Sequence, residues 1–120
     1  MKDQRAPIAP NAAFLISFGK EIMPEWRAYA IRHEPFIWAP VDRLNFTRRA
    51  LRDVRLLALL YSKSKHQFSD VEHVEFRALT ETMIDEALLL SGHPRPGEKG
   101  AVSSDIAETL AQITQLISPH

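Results

Sequence analysis

Apolar positions recur along this chain at three- and four-residue spacing, and the stretch Thr47 to Tyr61, TRRALRDVRLLALLY, says most about how it is built. Ala50, Leu51, Val54, Leu57, Ala58 and Tyr61 share one side of a 3.6-residue period, with Arg48, Arg52 and Arg55 on the other. From Leu56 to Leu60 the run is apolar without a break, and a helix that is apolar all round must be covered on more than one side. The stretch is expected to be the central helix of a bundle.

The other elements read as its cover. Asn11 is a fair N-cap for a helix carrying Ala12, Phe14, Leu15, Phe18 and Ile22, slightly weakened by Gly19 and kinked or broken at Pro24. The segment EPFIWAP, Glu34 to Pro40, is bracketed by prolines and expected to be extended or irregular, its aromatics pinned into the core. Ser69 and Glu72 have the S-x-x-E spacing of a capping box. They open a helix through Phe76, Leu79, Met83, Ala87 and Leu90 that Gly92 ends, with Pro94 beyond. After the loop HPRPGEKGAVS, Ser104 or Asp105 caps a last helix whose Ile106, Leu110, Ile113 and Ile117 form one clean stripe. No strand-like alternation runs beyond a few residues. The expected fold is all-α: a flexible arm over 1–10, then a single-domain bundle of four or five helices over 11–120. The helices fall at about 11–33, 42–62, 69–91 and 104–118, with a mobile loop over 92–103.

Composition narrows the function classes. With 120 residues, 45% of them hydrophobic, the chain is long enough to bury roughly two-thirds of its unfolded surface. The absence of cysteine removes disulfides, thiolate metal sites and cysteine nucleophiles together. Lys2 and Arg5 precede Asp3, Pro7 and a short apolar run without a cleavage site, which does not read as a signal peptide, and no stretch approaches a membrane span. A cytoplasmic protein without membrane contact is the default. Net charge is zero but unevenly placed: residues 42 to 66 carry seven Arg and Lys against Asp42 and Asp53, and residues 69 to 91 six acids against Arg77. Two successive helices of opposite sign are expected to attract each other as a hairpin.

Arg48, Arg52 and Arg55, with Arg43 and Arg49 nearby, fit either a phosphate backbone or an acidic helix. The plainer reading is a solvated face paired with the acidic helix that follows, Arg49 and Asp53 being an i, i+4 pair. No aromatic residues interleave the stripe for base stacking. His66, Asp70 and His73 have a spacing that suits a metal if one helix runs through all three, but Ser69 as N-cap leaves His66 outside it. No metal site is expected. Phosphate-cradle and nucleophile-elbow motifs are missing, no cofactor is implied, and the motif inventory points away from an enzyme.

One spacing has a family parallel. Arg27 and His33, in RAYAIRHE, form R-x5-H. This resembles the R-x4-6-H signature of HEPN-domain ribonucleases, small helical domains that pair across a dimer. The resemblance covers seven residues and implies Arg27 and His33 acting at the phosphate and 2′-hydroxyl of RNA. Read as surface residues, both sit near a helix end, where the dipole favours them.

The expectation is a small helical interaction or regulatory module acting by protein–protein binding, with a protein partner or with itself as a homo-oligomer, at its simplest a homodimer. Arg48, Arg52, Arg55, Leu56, Leu59 and Leu60 are its candidate partner-binding residues. The alternatives are a nucleic-acid-binding regulator using the three arginines, and a HEPN-like ribonuclease.

Overall fold

A computed structural model describes residues 11–33, 40–92 and 103–118. The expected arm over 1–10, the EPFIWAP residues before Pro40, and the loop body 93–102 lie outside the described residues. Four α-helices account for nearly all of the rest: α1 (Ala12–His33), α2 (Pro40–Ser64), α3 (Asp70–Ser91) and α4 (Ser104–Leu116), with a single 3₁₀ turn (Lys65–Gln67) between α2 and α3. The all-α bundle is what the periodicity predicts.

Each helix end has a chemical cause. Asn11 caps α1, its Oδ1 accepting the Phe14 N–H at 2.9 Å. Of the two outcomes the sequence leaves open at Pro24, a kink or a break, the break does not occur: α1 runs through it for 22 residues. The proline ring sits on the exposed side, where water can satisfy the Lys20 carbonyl deprived of its donor. Pro40 occupies the first position of α2, where its missing N–H is harmless, so this helix starts two residues before Asp42. The capping box of α3 is complete: Ser69 Oγ accepts the Glu72 N–H at 3.2 Å and Glu72 Oε1 accepts the Ser69 N–H at 2.9 Å. At the other end Gly92 takes the left-handed conformation, φ 74°, that closes the helix. The N-cap of α4 is Ser103, one residue earlier than expected, and its hydroxyl donates to the Asp105 carboxylate at 2.8 Å. That helix stops at Leu116, two residues short of the expected end.

α2 is central. It packs against α1, α3 and α4, and α1 packs in turn against α3. Tyr29 stacked on Phe46 and Tyr61 stacked on Phe76 join the end of each helix to the early part of the next, which for successive helices packed side by side is the antiparallel arrangement of α2 with both α1 and α3. Lys20–Glu75 and Arg27–Glu86 run in the same order along α1 and α3, which are therefore parallel. Arg48–Asp105 and Arg55–Gln112 likewise make α4 parallel to α2. Leu15, Leu51, Val54, Ala58, Tyr61, Phe76, Met83, Leu88, Ile106 and Ile113 fill the core with almost no exposure.

Two features set how the helices meet. A Cβ added at Gly19 would lie 2.8 Å from Leu79 Cδ2 and 3.1 Å from Met83 Sδ, so the missing side chain lets α1 and α3 approach closely. At the α2–α3 turn, Tyr61 is fully buried, stacked on Phe76 at 4.6 Å and edge-on to Phe68 at 5.0 Å. Its hydroxyl shares a hydrogen bond of 2.7 Å with His73 Nδ1, which satisfies the phenol, and burial raises its pKa above the ordinary tyrosine value. The buried hydroxyls of Thr47, Ser64, Thr80 and Ser91 donate to carbonyls four residues back, so the core meets them within their own helices.

The expected hairpin of a basic and an acidic helix is present, but its expected basis in charge is not what is observed. α2 and α3 are neighbours, but they meet through the aromatic cluster, and the observed cross-helix ion pairs join α1 to α3 and α2 to α4. Their charged sides face away from the shared contact because the apolar sides had to face it.

Candidate functional site

The Arg48, Arg52, Arg55 stripe divides on the surface of α2. Arg48 Nε lies 2.6 Å from Asp105 Oδ2 and a second guanidinium nitrogen 3.4 Å from Oδ1, an almost bidentate pair that ties α2 to the first turn of α4. The guanidinium, helped by the Ser103 hydroxyl, lowers the Asp105 pKa to about 2. About two turns further on, Arg55 donates to Gln112 Oε1 at 3.0 Å. Arg52 stays exposed. Two of the three arginines therefore serve the α2–α4 contact, and the acidic helix they were expected to meet lies on another side of α2.

The leucines divide too. Leu57 is buried, Leu60 is half-buried against the core, and Leu56 and Leu59 are 55% and 38% exposed. Five consecutive residues sweep more than one full turn, so a helix covered by neighbours on three sides leaves some of them facing water.

Exposure defines the stripe that reaches solvent. Asn45, Arg49, Arg52, Leu56, Leu59 and Lys63, spaced 4, 3, 4, 3 and 4 residues apart, are all exposed and follow one line along the outer side of α2. Its centre is apolar, with Arg49 and Arg52 on one side of the leucines and Lys63 on the other. The sequence does not mark Asn45 and Lys63 as site residues and places Arg49 only near the stripe, because the residues opposite the apolar face are the other arginines. The alternating 4 and 3 spacing was the available signal, and only the position of α4 shows that Arg48 and Arg55 leave this line.

Between α1 and α2 lies a cleft of about 370 Å³, floored by Trp26, Tyr29 and Phe46 and rimmed by Glu25, Arg32, Arg49 and Asp53. Partial burial raises the Asp53 pKa, opposed by Arg52 and Arg49. The remaining sequence candidates do not converge. His66 is exposed in the 3₁₀ turn, Asp70 opens α3, and His73 turns to Tyr61. Among the described residues no three His, Asp or Glu side chains could hold a metal ion together. Arg27 is paired with Glu86 of α3, and the side chain of His33 lies outside what is described. No described helix is long and apolar enough to cross a membrane. No family model, curated protein or solved structure matches this chain.

Proposed function

We propose that this protein acts by binding protein, as a small helical interaction module that also self-associates, and that the outer side of α2 is its contact surface. The observation that carries the reading is Leu56, more than half exposed at the middle of a helix whose other sides are covered, with Leu59 beside it and Arg52 one turn away. Exposed aliphatic residues flanked by cations suit the core and rim of an interface. Arg48, Arg55 and Leu60 support this surface from beneath rather than touching a partner: the arginines fix α4 alongside it and Leu60 anchors its floor.

The paired variant Leu56→Asp, Leu59→Asp tests the reading. Neither leucine is buried, so the melting temperature at dilutions where the wild type is monomeric is expected to change little. Capture of binding partners by the tagged protein, and its own association in sedimentation, are expected to be lost. Retention of both at wild-type level would overturn the proposal. Repeating the capture in high salt separates a phosphate-binding surface, whose affinity falls steeply, from one held by an apolar centre.

A further inference from the structure

We infer, building on the binding role proposed for the α2 stripe, that its occupant is the outer side of α3 in a second copy of the chain, joined head to tail. α3 carries a stripe of the same form: Val71, Val74, Ala78, Glu81, Asp85 and Leu89 are all exposed, with Val71 75% and Val74 64% exposed. Its helix has two acids in the first turn. The α2 stripe is apolar and basic; the α3 stripe is apolar and acidic.

The two stripes match residue by residue in one antiparallel register. Leu59 falls opposite Val74 and Leu56 opposite Ala78. Arg52 then meets Glu81, Arg49 meets Asp85, and Lys63 reaches the level of Asp70. From Arg49 to Lys63 the stripe is about 21 Å long, as is the stretch from Asp70 to Asp85 within one residue, so charges at both ends meet while the apolar centres overlap. Every cation finds an acid.

Pairing like with like has no such register. An antiparallel pair of α2 stripes centred on Leu56 and Leu59 sets Arg52 of one copy opposite Lys63 of the other, and a pair of α3 stripes, which carry no cation, leaves Glu81 and Asp85 without a partner of opposite sign. Within one molecule the stripes cannot meet. Each lies on the far side of its helix from the shared Tyr61–Phe76 stack, so they look in opposite directions. A contact that uses two different surfaces is heterologous, and copies joined this way form a ring or an open chain rather than a closed twofold dimer.

Two variants with one face broken in each test the arrangement. Arg52→Glu with Leu56→Asp spoils the α2 stripe and leaves α3 intact; Val74→Asp with Glu81→Arg does the reverse. All four positions are exposed, and a circular-dichroism melt checks that each variant folds. By sedimentation the wild type is expected to grow in mass with concentration, each variant alone to stay at the 13.7 kDa monomer, and their equimolar mixture to form one species of twice that mass. The charge swap Arg52→Glu with Glu81→Arg in one chain is expected to restore self-association lost in either single reversal. A mixture that stays monomeric, or a Val74→Asp, Glu81→Arg variant that associates as the wild type does, would overturn the head-to-tail contact. A monomeric wild type that still binds a different protein through Leu56 would overturn this inference and leave the proposed binding role standing; loss of both would remove the role itself.

Discussion

Gly19 shows how one residue sets a helix contact. Its neighbours Leu79 and Met83 occupy the space a side chain would need, and both are buried. Gly19→Val is therefore expected to push α1 and α3 apart and destabilise the protein by about 1–3 kcal/mol, read as a lower denaturation midpoint in urea. An unchanged midpoint would show that Leu79 can move aside without loss. The sequence marks Gly19 only as a weak spot in a helix, because the partner that makes it necessary lies sixty residues away. Ser69 is the contrast. Both halves of its capping box lie within four residues, and the sequence shows them without help.

At the scale of the element, α4 depends on its neighbour. Its single stripe of Ile106, Ile113 and Ile117 is buried, and its first turn is fastened by Arg48 to Asp105. The Asp105 carboxylate has its pKa lowered from 3.8 to about 2 in the folded chain, first by the Arg48 hydrogen bond. A carboxylate lowered by folding contributes stability that is present above its unfolded pKa and lost as pH falls through the folded one. The window is therefore from about 4 down to about 2. Asp105→Asn is expected to flatten the acid limb of stability in that window, measured by melts across pH, and identical limbs would show that the pair contributes nothing. Asp53 has the opposite sign: burial raises its pKa, so its ionisation weakens the fold as pH rises. The end of α4 toward Arg48 is expected to be the more acid-sensitive part of the bundle.

Across the whole molecule, zero net charge conceals two faces of opposite sign on opposite sides. Net charge sets solubility, but the placement of charge sets which surfaces can meet. If copies associate through those faces, the folded state is stabilised by mass action, since the unfolded chain has no such faces. The melting temperature of the wild type is expected to rise with protein concentration, and that of the Leu56→Asp, Leu59→Asp variant to stay constant. A flat wild-type curve would mean that no self-association accompanies folding.

What the sequence determined by itself was local. The 3.6-residue period of Ala50, Leu51, Val54, Leu57, Ala58 and Tyr61, the cap at Ser69 and the stop at Gly92 depend on neighbours within a turn or two, so the helices and their central member could be read from spacing alone. Pro24 left a choice open, because whether a proline breaks a helix depends on whether its orphaned carbonyl reaches water, and that is decided by which side faces the core. The surface was decided only by tertiary structure. Six apolar and charged residues of α2 compete for three covered sides, and the position of α4 decides that Arg48 and Arg55 are used inside the molecule while Arg49, Arg52, Leu56 and Leu59 remain outside. A helix pattern tells which residues share a face; only packing tells which face is left over, because burial is a property of neighbours brought from elsewhere in the chain.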